Sequence, residues 1–512
     1  MLKKHTKSMK TVLSVLLCFA MILAISIPVS AAAAYDTANA TTFVFSDSGI
    51  TAAVGSYTGY KIDGTALTIN GSGTYIVSGS CADGSIKIKK GATGVVLILN
   101  GLTLTSSDTA PIACNKSTAV TIVAAAGTVN TLTDSAYNND DNYPENENAE
   151  NAVIKTKDGA QVTICGTGTI NIVSNGKNGI KGGATTDTEG AAWLTIQDVT
   201  LNITANVNDG LKSDQELNIL SGNITVNAAD DGIKSDLVLN IGAEGTAGPT
   251  ILVGKSYEGI EAATLNIYSG KIEVHATDDG INAANSDLTN YSFACNIYGG
   301  TVYVDASNGD GIDSNGALNL AGGTVEVFSQ SGGDNSPLDA DGTLTLGGAT
   351  VLAVGAVGMQ QAVGSAKTAY VTFGGSGMGG FGGFFGGMGG GSSIVSAGST
   401  MAITDASGNT VYTAKAVRAA SYVFFTSPAL TSGSTYTLNV NNSSAATATA
   451  STNTSGGMGG QPGGNRPGGN GGSRPGQGGS GNIESASGFL QKIIEFFRNL
   501  FATLKKVFSF GA

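Results

Sequence analysis

Asp231-Gly232-Ile233-Lys234 is one statement of a phrase that recurs down the middle of this 512-residue chain: an acidic or amide residue, Gly, Ile or Leu, then a polar residue. The other statements are Asn178-Gly179-Ile180-Lys181, Asp209-Gly210-Leu211-Lys212, Glu258-Gly259-Ile260-Glu261, Asp279-Gly280-Ile281-Asn282 and Asp310-Gly311-Ile312-Asp313. Their glycines lie 31, 22, 27, 21 and 31 residues apart, and repetition at such periods marks a stacked solenoid. Each phrase leads into alternating runs around a small turn, such as Leu217-Asn218-Ile219-Leu220-Ser221-Gly222-Asn223-Ile224-Thr225-Val226. Period-two alternation reads as strand, and the Ser-Gly between runs reads as a sharp corner. Three strands per repeat make one coil of an all-β parallel β-helix. Equivalent residues of successive coils then stack into columns, and loops of unequal length leave at the corners. An antiparallel sandwich, the competing reading, would instead place hairpin turns every ~8–12 residues with no phrase repeating in register. In the coils from Val162 to Val354, the Ile or Leu after each Gly is expected to point inward.

The flanks divide the chain further. Residues 1–31 combine Lys3, Lys4, Lys7 and Lys10, an apolar run from Val12 to Ile27 and the small-residue site Val29-Ser30-Ala31, which is the pattern of a secretory signal peptide. The parallel β-helix is expected over 35–373, a Gly-rich loop over 374–393, and a small terminal β unit capping the helix over 394–440. Residues 441–481 are too polar to bury a core and read as a flexible linker. Over 484–510, Phe489, Ile493, Phe497, Leu500, Leu504 and Phe508 recur at helical spacing among Lys492, Arg498, Lys505 and Lys506. A basic amphipathic helix on a tether suits a membrane interface or cell surface; docking on its own β-helix is the alternative. Localisation is therefore expected to be secreted or cell-surface associated. Four cysteines remain outside the signal, Cys81, Cys114, Cys165 and Cys295, and buried free thiols are favoured over disulfides.

Several runs together resemble a known family. They are Ile69-Asn70-Gly71-Ser72-Gly73-Thr74-Tyr75, Asn130-Thr131-Leu132-Thr133-Asp134, Asn151-Ala152-Val153-Ile154-Lys155, the Asp-Asp-Gly-Ile coils, and Ser427-Pro428-Ala429-Leu430 before Thr435-Tyr436-Thr437-Leu438. In this order, from Phe43 to Val440, they resemble the carbohydrate-binding β-helix family of cellulolytic clostridia. That resemblance implies a secreted right-handed parallel β-helix that holds calcium and binds plant cell-wall polysaccharide, acidic pectin and cellulose among them. The shape is also similar to that of calcium-dependent pectate lyases. The Gly-Met-Phe tract and the amphipathic tail fall outside the family pattern and inherit no role from it.

The residues give calcium a basis of their own. In register, Asn178, Asp209, Asp231, Glu258, Asp279 and Asp310 stack in one row, joined by Asp230 and Asp278, with Asp214 and Asp236 three residues beyond the central Leu or Ile. Carboxylates roughly 5 Å apart repel by a few kcal/mol at an effective dielectric near 20. Lys181, Lys212 and Lys234 balance the early coils, but their column continues as Glu261, Asn282, Asp313 and Asp339. A hard cation with oxygen ligands suits the rest, giving Asp209, Asp214, Asp230, Asp231, Asp236, Asp278, Asp279, Asp310 and Asp313 as candidate Ca²⁺ ligands. Solvated turn aspartates are the alternative. Only two histidines are present, His5 and His275, so a histidine-rich zinc or copper site is excluded.

Two functions follow. In the first, the chain binds polysaccharide without catalysis; Tyr268, Tyr298 and Tyr303 are candidate sugar platforms, with face packing as their bland alternative. In the second, it is a polysaccharide lyase in which Lys234 or Lys212 takes the proton alpha to a uronate carboxylate, although neighbouring carboxylates make a lysine a poorer base. A glycosidase has no motif of its own, and a surface adhesin has no sortase signal behind it. A chain of net charge −12 is not expected to bind nucleic acid, and a monomer is expected.

Overall fold

The computed structural model describes residues 35–330, 335–358, 361–374 and 393–454. The expected signal peptide 1–31, nearly all of the expected Gly-rich loop 374–393, the expected linker from 455 onward and the expected helix over 484–510 lie outside the described residues.

No helix occurs among the described residues; the body is a long stack of parallel strands. Three columns account for it. The first runs through Ile112–Cys114, Ala152–Thr156, Asn178–Gly182, Leu211–Ser213, the leading parts of Ile233–Ile241 and Ile260–Ile267, then Ile281–Ala283 and Ile312–Ser314. The second runs through Gln161–Cys165, Trp193–Ile196, Glu216–Ile219, the trailing parts of the same two long strands, Ala294–Ile297 and Ala317–Leu320. The third runs through Thr169–Ser174, Thr200–Ala205, Asn223–Ala228, Thr250–Ser256, Lys271–Ala276, Thr301–Ala306 and Thr324–Phe328. Every pairing within these columns is parallel, as expected of a solenoid with three strands per coil.

The repeated phrase forms the corner from the third column into the first. Ile180, Leu211, Ile233, Ile260, Ile281 and Ile312 pair in register and are fully buried. Their glycines are explained by crowding. A Cβ on Gly210 would lie 2.3 Å from Val226 Cγ1, and one on Gly259 would lie 2.2 Å from both Val274 Cγ1 and the Gly280 carbonyl oxygen. The corner therefore closes only where the side chain is a hydrogen atom.

Outward positions stack as regularly. In the second column Asn240 donates to Asn218, Asn266 to Asn240, Asn296 to Asn266 and Asn319 to Asn296, at 2.7–3.0 Å. The amides satisfy one another along the face, which is why asparagine recurs there. Cys81, Cys114, Cys165 and Cys295 are buried free thiols, and burial pushes those of Cys114 and Cys295 up to about 12.

Both ends are blunted by antiparallel strands. Thr41–Ser46 pairs with Gly49–Ala53 at the start. At the far end Tyr422–Thr426 pairs antiparallel with Thr350–Gly355 and Tyr370–Gly374. A separate sheet follows in the order Thr410–Lys415, Thr400–Thr404, Thr435–Val440, Ser443–Thr449. Its side chains join Phe328, Leu352, Val354, Phe373 and Phe425 in a second core cluster, closing an end that would otherwise offer open strand edges. One boundary is corrected: the terminal unit does not stop at 440. Asn441 and Asn442 adopt φ of 49° and 66° and form a two-residue turn into Ser443–Thr449, because asparagine tolerates the left-handed region such turns require.

Candidate functional site

At the corner between the third and first columns, each repeat glycine donates its N–H to the carbonyl of the residue before the next repeat glycine. The bonds Gly179 to Asp209, Gly210 to Asp231, Gly232 to Glu258, Gly259 to Asp279 and Gly280 to Asp310 measure 2.9–3.0 Å. This ladder stacks the acidic residues one per coil. Side chains reinforce it: Asp209 Oδ1 accepts the Asp231 N–H at 3.2 Å and Asp279 Oδ1 accepts the Asp310 N–H at 2.7 Å.

The adjoining lysine column answers the first part of the row. Lys181 lies 3.6 Å from Asp214, and Lys212 lies 3.9 Å from Asp209 and 3.6 Å from Asp236. Lys234 Nζ bridges Asp231 at 2.7 Å and Glu261 at 2.9 Å. Beyond Glu261, no lysine or arginine pairs with Asp279, Asp310 or Asp313 among the described residues. Burial and then neighbouring carboxylates raise these groups: Asp231 to about 7, Asp313 to about 7 and Glu258 to about 10. Asp279 and Asp310, raised by burial against a backbone hydrogen bond that lowers each, reach about 8 and about 6. For Lys212 and Lys234, burial works downward but is outweighed by Asp209 and Asp231 with their acidic neighbours, so both are held firmly protonated. Lys155 differs: burial and then Lys181 bring it down to about 8.

Two groups of carboxylates converge with ligand oxygens within 4.8 Å of one another: Asp209, Asp230 and Asp231, and Asp231, Glu258 and Glu261. Asp231 belongs to both; it is 1% exposed, and its Oδ1 has no hydrogen-bond partner. Glu258 Oε2 is a second such atom. The donors are all oxygens, five carboxyl groups beside two lysines, which fits a calcium ion that displaces their protons on binding. Among the expected ligands, Asp214 and Asp236 face lysines, while Asp278, Asp279, Asp310 and Asp313 form no such group among the described residues. Glu258 and Glu261 were absent from the ligand set expected from sequence. Their signal was their register, at the position before the repeat Gly and the position after the repeat Ile.

The raised carboxyls have a consequence for pH. A folded pKa above the unfolded 3.8 means that the native state binds more protons, so stability falls as pH rises through that interval. Metal-free protein is therefore expected to lose stability from about pH 4 to about pH 8 as Asp310, Asp313 and Asp279 release their protons, and further toward about pH 10 as Glu258 does. Urea melts in chelator at several pH values would check this; a stability that climbs over the same interval would refute it.

The tyrosines divide. Tyr268 and Tyr298 stack at the corner just after the second-column strands that end at Ile267 and Ile297, ring centroids 5.2 Å apart and planes within 12°, with Tyr298 47% exposed. Tyr303 does not join them. It lies on the third column between His275 and Phe328, each 5.8 Å away, packed against the second core cluster. Trp193 stands exposed on the second column beside Gln161 and Glu216.

A parallel-strand solenoid with an acidic corner row and a stacked tyrosine pair is thus the class of protein defined by the fold. Residues 63–246 match the family model described as carbohydrate-binding domain-containing protein, which shows the resemblance read from the sequence motifs. A curated carbohydrate-binding domain-containing protein of Acetivibrio thermocellus is 32% identical over 123 residues, 24% of this chain; the chain spans 42% of the length of that relative. A solved structure titled as the polysaccharide lyase-like protein from C. thermocellum, gadolinium derivative, aligns at 24% identity over 62% of this chain and 94% of its own, with a TM-score of 0.32.

Proposed function

We propose that this is a secreted, calcium-dependent protein that binds acidic plant cell-wall polysaccharide, pectin foremost and cellulose as a second ligand, without cleaving it. The observation that carries the reading is Asp231, a buried carboxylate with an unpartnered oxygen at the meeting point of two carboxylate groups. Asp209, Asp230, Asp231, Glu258 and Glu261 would hold the cation. Bound there, it would supply the positive charge that lets a uronate carboxylate approach a chain of net −12, a contact that is otherwise repulsive. The stacked faces of Tyr268 and Tyr298 offer apolar area for a sugar ring. Similarity to a carbohydrate-binding family over 63–246 supports the ligand class. The basic and apolar start of the chain supports secretion, and the amphipathic pattern over 484–510 supports attachment at the cell surface.

A lyase is the second reading, with its base sought in the lysine column Lys155, Lys181, Lys212 and Lys234. Lys212 and Lys234 are held as ammonium by their acidic neighbours and are poor bases, but Lys155, brought down to about 8, is suited to take a proton alpha to a carboxylate. Incubating the mature protein with polygalacturonate and calcium while recording the absorbance of unsaturated products separates the two. A flat trace is expected. Absorbance that grows with wild type and stays flat with Lys155→Gln would overturn the non-catalytic reading.

A further inference from the structure

A cavity of about 190 Å³ opens between the outward face of the third column and the terminal unit. It shares no residue with the acidic row or with the tyrosine pair. Its origin is local: in Thr250–Ser256 the register with the next coil shifts between Val253 and Ser256, so Gly254-Lys255 forms an irregularity in an otherwise straight column. Bulges of this kind re-aim side chains. Lys255 lines the cavity, is exposed, and makes no ion pair among the described residues.

The opposite wall is Arg418 of the terminal unit, whose Nε donates to Asp305 Oδ1 at 2.6 Å across 113 residues of sequence. His275 lies between the walls, its Nε2 3.1 Å from Glu273 and its Nδ1 3.6 Å from Asp305. Both local carboxylates are thereby engaged, whereas the Lys255 ammonium and the terminal nitrogens of Arg418 have no bonded partner among the described residues. Ser256 contributes only backbone to the lining, since its side chain is 2% exposed and stacks in register on the core-facing Ala276. One unpaired ammonium beside a guanidinium with free terminal nitrogens is a set of donors without an acceptor of its own.

We propose that this cavity is a saccharide subsite that takes one carboxylate-bearing sugar residue. Lys255 pairs with the carboxylate, and the terminal nitrogens of Arg418, whose Nε is held by Asp305, add hydrogen bonds to it. Pockets for drug-sized ligands span about 300–1,000 Å³, so a cavity of about 190 Å³ has room for one sugar residue and none for a buried oligomer. The inference rests on the polysaccharide reading and deepens it, but the charge here comes from side chains, so binding at the cavity is independent of calcium.

The test is titration of the mature chain, in chelator, with trigalacturonate, its methyl ester and cellotriose, followed by NMR. Wild type is expected to prefer the free acid. Lys255→Gln should weaken that binding about tenfold, the scale of one charged hydrogen bond, and Lys255→Glu should abolish it. Binding of the ester and of cellotriose, and the melting temperature, should stay the same. Lys271→Gln, on the same column but outside the cavity, should change nothing. Equal affinity of wild type and Lys255→Glu for the acid would overturn the subsite. So would an absence of acid binding in chelator where calcium still supports retention on the polymer, an outcome that leaves the proposed function standing. Failure of every glycan to bind with or without calcium would end both.

Discussion

Replacing Ile233 or Ile281 by Asp is expected to abolish the cooperative fold of the central coils. Each side chain is fully buried and stacked between identical or similar residues of the coils above and below. A carboxylate placed there would face only aliphatic neighbours, and the cost of an unpaired buried charge joins that of the lost packing. The sum falls in the class of single substitutions that cost more than about 4 kcal/mol. A solenoid carries its stability through contacts between neighbouring coils, so a break in the middle uncouples the two halves. Circular dichroism and thermal melts should show a large loss of strand signal or a split transition. Unchanged melts in both variants would place these residues on the surface and invalidate the register.

Removing calcium should lower the melting temperature of wild type by several degrees and that of the Asp230→Asn, Asp231→Asn double variant by much less. Binding to the native state stabilises by mass action, about 4 kcal/mol at a thousandfold excess over Kd. The metal-free proteins should rank the other way. Without the cation, Asp231 lies in a crowd with Asp209, Asp230, Glu258 and Glu261, and neutral amides relieve repulsion while Lys234 keeps Glu261 at 2.9 Å. A crossing of the two stability orders on chelation is therefore the signature. Parallel, chelator-insensitive melts together with no calcium in the purified chain would exclude the metal site.

The repeat was legible because stacking imposes the same demand at the same place in every coil. Ile233 must fill the core, Gly232 must admit Val253, whose Cγ1 would lie 2.5 Å from an added Cβ, and Asp231 must hold the corner. The change of sign from Lys234 to Glu261 was legible for the same reason, since a column is read straight down the sequence. Which carboxylates converge was not. Asp278-Asp279 has the same local sequence as Asp230-Asp231, yet among the described residues only the latter joins a carboxylate group; the next coil offers the longer Glu258 and Glu261 to Asp231, where Asp279 meets the shorter Asp310 and Asp313. Tyr303 looked like Tyr268 and Tyr298 in its strand; its cover comes from a unit that follows much later in the chain, and no local pattern announces that. The strand Ser443–Thr449 was hidden by composition: Ser, Ala and Thr read as linker, while the register set by Asn441 and Asn442 makes them an edge strand. The register shift that exposes Lys255 likewise leaves no mark in the repeat phrase.

The most direct measurement of the central claim is retention of the mature chain on immobilised polygalacturonate in calcium, followed by elution with chelator. The account predicts retention in calcium, release by chelator to no more than the weak residual binding of the Lys255 subsite, and poor retention of the Asp230→Asn, Asp231→Asn variant in either condition. Equal retention of wild type and variant, unaffected by chelator, would contradict it.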